Sequence, residues 1–258
     1  MKLIRESVEL TILGEPLDSN SEGKIGRFLE SCGRICYKSE LKITEDSYNK
    51  FLKTIIKSGH ESILEHASVT AKIITNRAVT HELVRHRIGV AYSQESTRYC
   101  NYSGNRFGSE LSFVVPVWIS DEEVSRHFPN EQYDSDYMNN PVYVWVNQMQ
   151  SCEDEYLRLL QLGWTPEKAR EILPNSLKTT IAVTCNVRTW RHILKQRLNR
   201  ACHPQMRFMM LQIAEKFNEY LPLFFSDIFS SVAMSINGAN SVFNEDAIKL
   251  IKDDIIIY

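Results

Sequence analysis

The stretch His81–Tyr102, HELVRHRIGVAYSQESTRYCNY, decides how the rest of the chain is read. It places Arg85, Arg87 and Arg98 around a polar run holding Ser93 and Ser96, in a 258-residue chain whose formal net charge is only -2. HELVRH comes near the HExxH zinc signature, but His81 and His86 stand about 140° apart around a helix and share no metal-binding face. No G-x-S-x-G turn surrounds Ser93 or Ser96, so a serine nucleophile has no local support. Guanidinium groups suit phosphate instead. Their forked donors stay charged near neutral pH, and each charge-assisted hydrogen bond contributes about 1.5 to 3 kcal/mol.

A second basic element lies downstream. Between Ile172 and Ala214 there is no Asp or Glu, yet Lys178, Arg188, Arg191, Lys195, Arg197, Arg200 and Arg207 all fall there. In NVRTWRHILKQRLNRACHPQMR, helical spacing puts Arg188, Arg191, His192 and Lys195 on one side and Trp190, Ile193, Leu194 and Leu198 on the other. The first side is expected to meet an anionic partner. A nucleotide phosphate and a nucleic-acid backbone both fit that charge, and a solvated helix face fits it too.

Composition is that of an ordinary globular protein: 43% hydrophobic and 24% charged residues favour neither disorder nor a fibre. No apolar run approaches the roughly 20 residues that span a bilayer, and the start MKLIRESVELTIL lacks the apolar core and cleavage site of a signal peptide. A cytoplasmic location is expected. The six Cys are scattered with no CxxC pair, which argues against a disulfide framework or a zinc ribbon.

Periodicity supplies the elements. Ser7–Leu13 alternates as a strand, and helical spacing follows in Ser21–Tyr37 and in a helix capped by Thr44 and stopped by Gly59. Ala67–Thr75 reads as a strand and Asn76–Arg87 as a helix with Val79 and Leu83 inward. From Asn101 to about Asn140 the pattern is irregular, apart from the apolar run LSFVVPVWI. Pro141–Leu162 is a long helix with Val142, Trp145, Met149, Cys152 and Tyr156 on one stripe. A short helix begins at Thr165-Pro166, Thr179–Asn186 is a strand, and helices start near Val187 and at Pro204.

Arg85-His86-Arg87 followed by YSQESTRY resembles the signature of the flavin-dependent thymidylate synthases. GHESILEH (Gly59–His66), TPEKAREILP (Thr165–Pro174) and NVRTWRHILKQR (Asn186–Arg197) occur in that family's order and at about its spacing. Three departures stand out. Eight residues, Ile88–Glu95, separate Arg87 from Ser96, one more than in the family's usual signature. Glu82 stands where relatives often have Gln, and the interval from Arg197 to His203 is about two residues longer.

The resemblance implies an α+β fold: a compact single domain over residues 1–258, with a mixed or antiparallel sheet flanked by helices, assembled as a homotetramer with shared sites. It implies conversion of dUMP to dTMP using FAD, NADPH as reductant and methylenetetrahydrofolate as one-carbon donor. Small-molecule partners are implied, and no metal, nucleic acid or membrane. By motif, Ser62, Arg85, His86, Arg87, Gln94, Asn186, Val187, Arg188 and His192 are expected at FAD, with Cys36 and His203 as flavin neighbours. Glu82, Leu83, Val84, Arg85, Gln94, Glu95, Ser96, Thr97, Arg98, Arg170 and Arg197 are expected at dUMP. Arg197 matches the Arg that favours the N3-deprotonated uracil, and Ser96 is expected to bind rather than attack. His60, Glu65 and His66 suit either backbone capping or ligand contact, and Met206, Met209 and Met210 suit core or subunit interface. A basic nucleic-acid-binding module and another flavin or nucleotide-dependent enzyme are the competing readings; the first predicts salt-sensitive polymer binding and no yellow colour.

Overall fold

The central strands are written by alternation. In β4 (Ser68–Asn76) Val69, Ala71 and Ile73 are buried while Ser68 and Lys72 are exposed; in β7 (Lys178–Asn186) Ile181, Val183 and Cys185 are buried. A strand turns successive side chains to opposite faces, so a period of two makes one oily face. The register joins these faces, pairing Val69 with Cys185, Ala71 with Val183 and Ile73 with Ile181. β2 (Ser7–Ile12) adds Val8 and Leu10 opposite Ile73 and Ala71. With β3 (Glu15–Pro16) and β5 (Val90–Gln94) the sheet order is β3-β2-β4-β7-β5, and every neighbouring pair is antiparallel.

The computed structural model describes residues 1–104, 110–127 and 139–237. Helices cover the oily face: α1 (Ser21–Ile35), α2 (Ser47–Lys57), α3 (Arg77–Leu83), α7 (Val187–Arg197), α8 (Pro204–Tyr220) and α9 (Pro222–Asn237) all give side chains to one core. Trp190 anchors α7 there, fully buried, with its indole N–H donating to the Val69 carbonyl at 2.9 Å. Met206, Met209 and Met210 belong to the same core. α1 and α2 approach so closely that a Cβ on Gly26 would lie 2.2 Å from the Tyr48 ring.

A second core gathers β1 (Lys2–Ile4), β6 (Ser112–Val114), α4 (Asp121–His127), α5 (Pro141–Gln161) and α6 (Pro166–Ala169). β1 and β6 pair in parallel, Leu3 opposite Phe113, and a bridge from Phe113 to Leu177 joins them to the start of β7. The molecule is therefore α+β with an antiparallel main sheet, as the resemblance implies. Among the described residues no helix is long and apolar enough to cross a membrane.

Several expectations need correction. Within Asn101–Asn140 the exempted apolar run forms β6, but α4 makes the segment after it helical rather than irregular; residues 105–109 and 128–138 are outside the described residues. The α3 helix ends at Leu83 rather than continuing to Arg87. Its last carbonyls are taken from outside: Arg197 donates to Glu82 and the Tyr92 hydroxyl lies 2.8 Å from those of Leu83 and His86, so the signature Arg-His-Arg leaves the helix as a loop. On α5 the buried stripe runs through Val146 and Glu153 rather than Trp145, which is half-buried.

Candidate functional site

Two similar junctions create the site. β4 and β7 each end in an Asn whose side-chain oxygen caps the next helix: Asn76 accepts from the Val79 N–H at 2.9 Å and Asn186 from the Thr189 N–H at 2.8 Å. Because the strands are antiparallel, the junctions lie at opposite ends of the sheet, and α3 and α7 meet at their C-terminal turns.

Arg197, the last residue of α7, closes that meeting. Its Nε donates to His86 Nε2 at 2.9 Å, its Nη2 to the Glu82 carbonyl at 2.9 Å and its Nη1 to the Glu82 carboxylate at 3.2 Å. The Cys202 thiol lies 3.9 Å from the same carboxylate, and burial raises its pKa. The His86 pKa is pushed down to about 4, first by loss of water and then by the positive charge of Arg197 and the nearness of His192, whose ring lies 6.3 Å away. His86 is thus a neutral acceptor that leaves the positive charge on Arg197.

β5 supplies the neighbouring wall. Tyr92 faces the helices and holds the turn after α3, while Gln94 Nε2 donates to the hydroxyls of Thr80 at 3.1 Å and Thr179 at 3.2 Å. Gly89, with φ of +69°, turns the chain into β5. Beyond β5 the turn after Glu95 presents Arg98, more than half exposed and 3.6 Å from Glu167, and buried Thr97, whose hydroxyl accepts from Arg170 at 3.5 Å. The Ser96 hydroxyl accepts from the Arg98 N–H at 3.3 Å; no described His stands against it as a base.

Exposed Arg85 and Arg87 have no protein partner among the described residues, so their donors are available to an anion. Arg188 is already paired with Glu65 at 2.5 Å, linking α7 to the 3-10 turn Glu61–His66 that carries exposed Ser62 and His66; His60 precedes it, also exposed. Arg191 corrects the helical projection: it is 2% exposed, bound by Glu61 at 3.1 Å, Asp227 at 2.8 Å and the Phe224 carbonyl, and does not join Arg188 on the basic face. Leu83 and Val187 are fully buried in the main core, and the Val187 N–H donates to the Ala67 carbonyl. Val84 is half-buried and packs on the main core.

Glu82, His86, His192, Arg197 and Cys202 therefore form one cluster, and Gln94, Glu95, Thr97, Arg98 and Arg170 form an adjoining one. No contact ties Cys36, exposed at the end of α1, to either. His203 stacks edge-on against Trp118 at 5.8 Å in a cavity of about 500 Å³ that also takes in Trp145, Asn76 and Gln205 and is lined by none of Glu82, His86 or Arg197. Tyr92, Lys178, Tyr102 and Cys202 escaped the sequence reading as members of the site. Tyr92 and Tyr102 sit inside the quoted His81–Tyr102 stretch and Lys178 inside the acid-free segment, so position was a usable signal. Among the described residues no group of three His, Cys, Asp or Glu is placed to hold a metal ion.

Residues 24–223 match the family profile described as thymidylate synthase complementing protein. The chain is 34% identical over 201 residues to a flavin-dependent thymidylate synthase of Geobacter sulfurreducens, covering 75% of this chain and 78% of that protein. It is 32% identical over 202 residues to one of Mycobacterium tuberculosis, covering 77% and 78%. In fold it is similar to a UMP/dUMP methylase, PolB, from Streptomyces cacaoi bound with 5-Br dUMP, with a TM-score of 0.66, 22% identity, and coverage of 90% of this chain and 97% of that one.

Proposed function

This chain belongs to the flavin-dependent thymidylate synthases, and from that premise we propose that it converts dUMP to dTMP with FAD, taking reducing power from NADPH and the one-carbon unit from methylenetetrahydrofolate. The observation that carries the reading is Arg197, a guanidinium held in place by Glu82 and a neutral His86 at the meeting of two helices. A fixed positive charge beside the uracil edge favours its N3-deprotonated form, which makes C5 a better nucleophile toward the methylene donor. A flavin held beside these residues would supply the hydride that a transferred methylene needs to become methyl.

The donor set fits a flavin dinucleotide. Arg85 and Arg87 offer unpaired forked donors for a pyrophosphate, and His86, neutral and half-buried, offers a ring that does not compete with them for charge. Arg98, Arg170 and the Ser96 turn are assigned to the dUMP phosphate, with Gln94 between the two ligands. Residues 1–258 form one domain in this reading, four copies make the working enzyme, and the cytoplasm is its compartment. Exposed apolar side chains on α1 and on the segment just after it support the tetramer: Phe28 and Ile35 on the helix, and Tyr37 and Leu41 beyond it, all stand largely in solvent.

Release of tritium from C5-labelled dUMP tests this directly. Purified protein should release it only with FAD, reductant and methylenetetrahydrofolate present, and should form dTMP. Arg197→Ala should lower turnover by about 100-fold or more, the scale of losing one preorganised charge at a developing anion, while flavin content stays near wild type. A folded Arg197→Ala protein that has lost its flavin would count against this assignment. A yellow wild-type protein with no release would point to another flavin enzyme.

A further inference from the structure

Glu95 is a carboxylate placed where a phosphate is to bind, and the structure shows how its charge is handled. Its backbone continues the β5 ladder, with the N–H donating to the Thr180 carbonyl at 2.9 Å and its own carbonyl accepting from Arg77 Nη2 at 2.9 Å. Its side chain is pinned at both oxygens: the Tyr102 hydroxyl donates to Oε1 at 2.7 Å, and Lys178 Nζ lies 2.8 Å from Oε2. Glu95 is 13% exposed and Lys178 26%, so water screens this pair only in part. Tyr102 is buried in the second core against Tyr156, at 6.0 Å between rings. Burial, then the Glu95 carboxylate, holds its phenol protonated and so a donor.

Glu95 and Tyr102 bracket the turn that carries Ser96, Thr97 and Arg98. Within it the Tyr99 and Cys100 N–H groups both return to the Ser96 carbonyl, at 3.3 and 3.0 Å. The Glu95–Tyr102 bond thus closes the base of a short loop, and Lys178, the first residue of β7, ties that base to the strand. An unpaired carboxylate one residue from Ser96 would repel a phosphate dianion, so the pairing has an electrostatic as well as a geometric consequence.

We propose that Glu95, Lys178 and Tyr102 form a charge-neutral clasp that positions the Ser96–Arg98 turn for the nucleotide phosphate, with Lys178 cancelling a carboxylate that would otherwise repel it. The inference rests on the assignment of this turn to the dUMP phosphate, and it makes Glu95 a positioning residue rather than a ligand.

Calorimetric titration of the flavin-loaded full chain with dUMP, and with deoxyuridine as the ligand lacking phosphate, tests the clasp. Lys178→Met should weaken dUMP by about tenfold, the scale of one uncompensated charge beside an anion, and leave deoxyuridine unchanged. Adding Glu95→Gln to Lys178→Met removes the exposed charge, keeps an acceptor for Tyr102, and should bring dUMP back to within about twofold of wild type. If Lys178→Met does not fold, Tyr102→Phe reads the same clasp and should weaken dUMP by about threefold without touching deoxyuridine. Equal loss for both ligands, no loss, or no recovery in the double variant would overturn the clasp alone. A wild-type protein that binds no dUMP at all would overturn the synthase reading and the clasp with it.

Discussion

Glu82 sets the charge that Arg197 presents. Its carboxylate lies 3.2 Å from the guanidinium, so it opposes the stabilisation of a uracil anion that Arg197 is there to give. Glu82→Gln keeps the size and the carbonyl contact but removes that opposition; the acid limb of the turnover profile should move to lower pH, and an unmoved limb would show that Glu82 is neutral or displaced when dUMP binds. His86 governs stability on the acid side. Its folded pKa of about 4 lies below the ordinary 6.5, so neutral His86 stabilises the fold above pH 6.5 and that contribution is lost as pH falls from 6.5 through about 4. Urea denaturation at pH 7 and pH 4.5 should show wild type losing roughly 1 kcal/mol more than His86→Asn, a figure reduced because the ring is only half-buried. An equal loss in both proteins would place the acid sensitivity elsewhere.

At the scale of elements, α7 is fastened by Arg191 more than by its basic face. Glu61 before β4 and Asp227 on α9 both bind its guanidinium, so one side chain joins three elements widely separated in sequence. Arg191→Met leaves two carboxylates without their cation, and should cost about 2 kcal/mol in denaturant titration, less than for a fully buried pair because Asp227 is half in water. The folded fraction should keep its flavin content; selective loss of flavin would return Arg191 to the ligand site. Helical spacing reads strongly for α1, α5 and α7 because each has one buried stripe. It misplaces Arg191, since spacing gives the angle around a helix and not what packs there. β5 is unreadable by alternation because Val90, Tyr92 and Gln94 face inward at the sheet edge while only half-buried.

For the whole molecule, among the described residues, helices cover one face of the main sheet, and the other presents exposed Lys72 and half-buried Thr70 and Thr184. That open face and the exposed apolar end of α1 are surfaces on which the proposed tetramer would assemble. Light scattering of the flavin-loaded protein should give four chain masses, and dilution to smaller species should release flavin in step. A monomer that retains flavin and turns over dUMP would remove the tetramer from the reading.

The sequence by itself determined the two central strands and the helices that follow them, because alternation and helical spacing are local properties written in neighbouring residues. Its family resemblance supplied the α+β class; the Asn76 and Asn186 caps came only with the structure, and the α2 helix begins after Asp46 rather than at Thr44. Its four ordered motifs also led to the expectation that Arg197, Glu82 and the Ser96–Arg98 turn serve one family site. Only the tertiary structure decided that α3 stops at Leu83, that Arg197 is held by Glu82 and His86, that Arg191 is buried, and that Lys178 and Tyr102 close on Glu95. Each of those depends on a partner 7 to 130 residues away, and the pairing of distant charges follows from which strands and helices meet, a choice made by burial of the whole apolar surface rather than by any one stretch of chain.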